Sequence, residues 1–195
     1  MPEVELPNTE ELAEAGRKQF TKKVALTTAV FAVMLAVTSL GGNNATKEML
    51  LAQQQSSDQW AFYQSKVIRQ HLYNIEKMRM EAELLKSGHL MSREDRGQYE
   101  AALKKMSDEE RRYDAEKKKI EQQAKELEGE RDRYRTKDPY FDYAEVLLQI
   151  SIVMASISIL AVSRQIFYFA LATSILGVVF MLNGYLLLFR IPLFH

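Results

Sequence analysis

The chain has 195 residues, with 26 basic and 26 acidic side chains and no cysteine. That length suits one or two domains, and the balanced charge supplies no net positive field to draw in nucleic acid. The missing thiols exclude disulfides, thiolate metal sites and a cysteine nucleophile.

Residues 1–23 form a polar N-terminal segment with five glutamates. Residues 24–40, "VALTTAVFAVMLAVTSL", are almost purely apolar and just long enough for a transmembrane helix, which needs about 17 to 25 residues. A buried core helix or a cleaved signal peptide would share that composition. A signal peptide wants a short basic lead, and the acidic lead here favours an uncleaved anchor. Gly41-Gly42 marks the expected exit from the membrane.

Residues 45–138 are of another kind. From Arg93 to Asp138 there are 14 basic and 14 acidic residues, so "EKKKIEQQAK" has acidic neighbours throughout and suits a solvated helix face better than a nucleic-acid site. Tyr99, Met106, Tyr113, Ile120, Leu127 and Tyr134 recur every seven residues. Leu103 and Ala124 take the interleaved position, shared with Glu110, Lys117 and Arg131. This is a heptad seam with polar interruptions. Both ends of the region must lie on one side of the membrane, so it has to turn back. The turn falls at 87–91, where Gly88 can end one helix and Ser92 with Asp95 can cap the next. Met106-Ser107 with Glu110 offers a further cap and a kink. Arms of nearly equal length predict an antiparallel coiled-coil hairpin, roughly 60 Å long at 1.5 Å per residue.

The outgoing arm carries two stripes. Ala61, Ser65, Ile68, Leu72, Ile75 and Ala82 are expected to face the returning arm. Trp60, Tyr63, Val67, His71, Met78 and Leu85 form a second stripe, and a two-helix hairpin needs only one. The residues Trp60, Tyr63, Val67, His71 and Met78 are therefore the candidate interface for another copy or a foreign partner.

Residues 143–162 and 166–189 supply two more apolar stretches of spanning length. Small residues recur on one face of each span: Ala25, Ala29, Ala32, Ala36 and Ser39, then Ser151, Ala155 and Ser158, then Ala170, Ser174, Gly177 and Gly184. Such faces let helices approach closely in lipid. The candidate intramembrane polar groups are Glu145, Gln149 and Asn183. No chain of acidic groups crosses the spans, as a proton relay would need. Arg164 sits in a tight turn and suits a cytoplasmic anchor.

The stretch "SDQWAFYQSKVIRQHLY", within "ALTTAVFAVMLAVTSLGGNNATKEMLLAQQQSSDQWAFYQSKVIRQHLY", resembles a bacterial membrane-protein family catalogued as domain of unknown function 4337. The resemblance runs from the first apolar helix to the end of the chain and implies a bacterial inner-membrane location. It carries no established activity, so it transfers no functional residue.

The chemistry in the sequence is sparse. His71, His89 and His195 lack metal-ligand spacing, no phosphate-binding loop occurs, and no serine sits in a nucleophile elbow. No cofactor is expected and no enzyme is indicated. Arg17, Lys18, Lys22 and Lys23 ahead of the first span place the N-terminus in the cytoplasm and the hairpin in the periplasm, although basic residues from Lys125 to Lys137 argue the other way. The sequence thus predicts an all-α membrane protein with three transmembrane helices and a long antiparallel coiled-coil hairpin between the first and second. Its expected role is a homo-oligomeric scaffold or adaptor. Its expected partners are itself, the lipid bilayer and, at the stalk, another envelope protein. The alternative is a channel or transport-accessory subunit whose spans ring a pore.

Overall fold

The computed structural model describes residues 9–189. The first eight residues of the polar N-terminal segment, and His195, lie outside them. Among the described residues the chain is all-helical, with three helices and no strand: α1 (Thr9–Ser87), α2 (Arg93–Leu160) and α3 (Arg164–Leu186). All three are long and apolar enough to cross a membrane. They divide into two compact units, one of Met1–Met49 with Arg133–His195 and one of Leu50–Asp132.

The helices are fewer and longer than the sequence boundaries suggest. α1 continues through Gly41-Gly42, and α2 continues through Ser107 and through Pro139. Pro139 has no N–H to give the carbonyl one turn back, which is a local cost that the surrounding helix carries. The glycine pair is a packing device in the first unit. A Cβ built on Gly41 would lie 2.6 Å from Phe141 Cε1 and 2.6 Å from the Tyr185 hydroxyl. Gly42 faces Phe141 Cβ at 3.2 Å, and Gly184 faces the same ring at 3.0 Å. One buried phenylalanine thus sits among three glycines from two helices. Tyr185 meets its ring edge-on at 4.9 Å and donates a hydrogen bond to the Val37 carbonyl at 3.0 Å. The helical cost of these glycines, about 1 kcal/mol each, is offset by the close approach they permit.

The rest of this unit packs by the same means. α1 turns Val24, Phe31, Thr38, Gly41 and Ala45 inward. α2 buries Ala144, Leu148, Ser151, Ala155 and Ser158, and α3 buries Ala170, Ser174, Gly177 and Met181. Ser151 and Thr173 share a hydrogen bond at 2.8 Å, and Thr46 donates to Asp138 at 2.8 Å. The small-residue faces of α2 and α3 are therefore internal contacts. Ala25, Ala29, Ala32 and Ala36 of α1 instead point outward, because the bulkier Val24 and Phe31 take the inner face.

The ends of the helices are capped by local bonds. α1 closes with the Gly88 N–H on the Leu84 carbonyl at 2.8 Å. Ser92 Oγ accepts the Asp95 N–H at 3.1 Å and donates to the Asp95 carboxylate at 2.6 Å, which satisfies the first turn of α2. Between α2 and α3, Val162 adopts a left-handed conformation (φ 48°) while the Ser163 N–H reaches back to Ser158 at 3.1 Å. That is a Schellman closure made without glycine.

Two glycine substitutions test this packing by their opposite signs. Gly41→Ala should lower the stability of the detergent-solubilised protein by about 1–3 kcal/mol, because the methyl group has no room. Gly16→Ala should raise it by about 0.5 kcal/mol, since nothing lies within 4 Å of a Cβ there and alanine favours the helix. Thermal unfolding in one detergent measures both. Equal effects would exclude the crowding at Gly41.

Candidate functional site

The second unit contains the densest set of specific side-chain contacts between α1 and α2. Ser56 Oγ lies 3.5 Å from the Ala124 carbonyl, and the Trp60 indole N–H donates to Glu128 at 2.9 Å. Lys66 pairs with Glu116 at 2.6 Å, Tyr73 stacks on Tyr113 at 5.6 Å, and Lys77 pairs with Glu110 at 3.3 Å. As the α1 number rises the α2 number falls, so the two helices run antiparallel here.

The heptad positions of α2 form its shielded face. Tyr113, Ile120 and Ala124 are buried, and Tyr99, Leu103, Met106, Glu110, Lys117, Leu127, Arg131 and Tyr134 are half-buried. The polar members of that row have partners. Glu110 takes Lys77, Arg131 donates to Gln53 at 3.0 Å, and Lys117 lies 3.8 Å from Asp114.

The face of α1 that meets this row differs from the expected one. Ile68, Leu72 and Ile75 are 60%, 61% and 59% exposed. The contact face instead holds Ala52, Ser56, Trp60, Tyr63, Lys66, Val67, Gln70, Tyr73 and Lys77. The reason is chemical. Glu110 and Arg131 in the α2 row need polar partners when half-buried, and a stripe of isoleucine and leucine offers none. The mixed stripe supplies Lys77, and the exposed Gln53 at its edge reaches Arg131. The candidate interface residues accordingly separate: Trp60, Tyr63 and Val67 are half-buried on the α2 side, while His71 and Met78 are exposed.

Lys66 is the centre of the contact. Its side chain is 14% exposed, and its ammonium group lies 5.2 Å from the Phe62 ring and 5.3 Å from the Tyr113 ring. The hydrogen bond from Lys66, with the charges of Lys66 and Arg112, holds the Glu116 carboxyl below its ordinary value of 4.5. Nearer the turn, the Glu83 carboxylate beside the Tyr99 hydroxyl pushes that phenol up. These cross-helix pairs escape a sequence reading because each joins residues 16 to 78 positions apart. A readable signal was the row of polar interruptions at Glu110 and Arg131, which required polar groups opposite.

The intramembrane candidates are separate from this set. Gln149 donates to Glu145 at 3.3 Å, one turn apart on α2. Asn183 is 1% exposed and ends α3 as a cap: its amide donates to the Phe189 carbonyl at 2.9 Å and its oxygen accepts the Phe189 N–H at 3.0 Å. The structure does not bring Asn183 together with Gln149 through any hydrogen bond among the described residues. His71 and His89 are exposed, and no group of three or more potential ligands gathers as a metal site among the described residues.

The family described as domain of unknown function DUF4337 matches residues 20–187. The chain belongs to that family. The matched DUF4337 segment includes all of the second unit and nearly all of the described part of the first. No curated protein and no solved structure matches the chain.

The Lys66–Glu116 pair gives the second unit an acid limit. A carboxyl lowered in the folded state contributes stability that is present above its unfolded value, near 4.5, and is lost as pH falls through the folded value below that. Helix unfolding followed by circular dichroism should therefore soften under acid, and Glu116→Gln should reduce that loss. An unchanged acid profile in the variant would remove the pair from this role.

Proposed function

We propose that this DUF4337 protein is a homo-oligomeric scaffold or adaptor of the bacterial inner membrane. Residues 24–40, 143–162 and 166–189 are its three transmembrane helices, and residues 45–138 are an antiparallel coiled-coil hairpin on the periplasmic side. The observation that carries the reading is the contrast between the two outer surfaces. The first unit exposes Leu26, Val33, Leu40, Val153, Leu160, Phe169 and Leu186, each at 53% or more, in a pattern that suits lipid. The second unit is laced with exposed ion pairs such as Arg96–Glu100 and Lys118–Asp114, which suit water.

A scaffold reading also fits the kind of chemistry present. The second unit devotes its half-buried charges to holding two helices in register, as Lys66–Glu116 and Lys77–Glu110 do. Such a pair of helices presents a rigid surface to a partner.

Two measurements on the full-length protein test this. The native mass of the detergent-extracted protein should be a multiple of the chain mass, and a monomer at all concentrations would overturn the oligomer. A cysteine at Ser87 should be labelled by a membrane-impermeant reagent from the periplasm, and one at Glu14 only after permeabilisation. The reverse pattern would overturn the orientation while leaving the spans in place.

A further inference from the structure

We infer that the exposed stripe of Ile68, Leu72 and Ile75 on α1 is the surface on which further copies of this chain dock, in parallel and more than two at a time. The inference rests on the membrane-scaffold reading above and names its contact surface.

The stripe has the repeat that helix assembly requires. Ser65, Leu72 and Arg79 stand seven apart, and Ala61, Ile68, Ile75 and Ala82 interleave with them at spacings of three and four. By that spacing leucine takes the a position and isoleucine the d positions on either side. Phe62, Met78 and Leu85, exposed at 50%, 55% and 87%, flank the row and widen it. Six such side chains offer on the order of 500 Å² of apolar surface per copy. That is less than the roughly 800 Å² per partner of a standard interface, so one flat pairwise contact would be weak.

The occupant follows from what the surface of this unit can offer. Across residues 93–132, α2 exposes no large apolar side chain among the described residues; its outward face is charged. Apart from Leu90 in the turn, an apolar partner surface from the second unit must therefore be α1 of another copy. Copies that share one bilayer and one topology carry α1 in the same direction, so the pairing is parallel. In parallel packing the e position of one helix faces the g position of its neighbour. Glu76 then meets His71, and Arg69 meets Gln64, so these e–g pairs oppose no like charges. Arg79 would face its own copies at an a position; its nearest carboxylate is Glu76 at 3.9 Å, and it closes the apolar run.

The number of copies follows from side-chain shape. Leucine at a with isoleucine at d disfavours a parallel dimer and favours three or four helices. A wider ring also lets each α1 contact two neighbours, which uses the flanking Phe62 and Met78.

The chain has no native cysteine, so single cysteines report contacts cleanly. In the full-length protein in membranes, Leu72→Cys and Ile68→Cys should each crosslink to themselves with a short bismaleimide. Arg111→Cys, on the outward face of α2, should not. Leu72→Glu should dissociate the assembly, raising the concentration for half-dissociation about thirtyfold or more, while helix content stays unchanged. Native mass of the wild type should show three or four copies. An assembly that persists in Leu72→Glu, with no crosslink at residues 68 or 72, would overturn this surface and leave the scaffold reading standing. A dimer would overturn the copy number, and a monomer would overturn both this inference and the scaffold reading.

Discussion

The hydrogen-bonded pair of Lys66 and Glu116 fixes the arrangement of the second unit. A lysine that is 14% exposed, set between two aromatic rings, has lost most of its water. A carboxylate meets it there at 2.6 Å. Shifting the helices by one turn would strand the Lys66 ammonium half-buried without its carboxylate, while Glu116 would keep only Arg112, one turn away on its own helix at 3.2 Å. Lys77–Glu110 and Trp60–Glu128 repeat the constraint on either side. Register is thus set by polar groups, and apolar contact supplies area once register is set.

The same constraint determines which apolar residues remain outside. α2 can cover only one face of α1. The face that carries Lys66 and Lys77 supplies the cations that Glu116 and Glu110 of α2 take. Ile68, Leu72 and Ile75 match neither carboxylate and face outward. An apolar stripe exposed beside a satisfied polar seam points to a further protein surface rather than to a faulty core.

The sequence made some of this legible. The α2 row from Tyr99 to Tyr134 could be read from its period alone, because each position is shielded and the repeat is strict. The turn could be read from Gly88 and the Ser92–Asp95 cap. The inner face of α1 could not, since hydrophobicity ranks Ile68 and Leu72 above Lys66 and Tyr73, and the deciding partners lie on another helix. The packing role of Gly41-Gly42 is hidden for a related reason: Phe141 and Tyr185 come close there, and nothing local in the sequence announces a ring from a residue 100 positions away. Asn183 stands out in the sequence as a polar group in an apolar span, but its pairing with the backbone of Phe189 needs the chain to turn back after α3.

Exposure has different consequences in the two units once the first is placed in a bilayer. Val33 and Leu40 at 62% and 61% are at home against lipid, so they supply little drive for association. Ile68 and Leu72, equally exposed, meet water, and burying each fully would contribute about 1.5–3 kcal/mol. In the proposed assembly the free energy would then come mainly from the second unit. The first unit contributes differently, by confining copies to one surface in one orientation, which raises their effective concentration and removes antiparallel alternatives. Under the proposed assembly, a stripe too small to hold two soluble proteins together would become sufficient through that confinement.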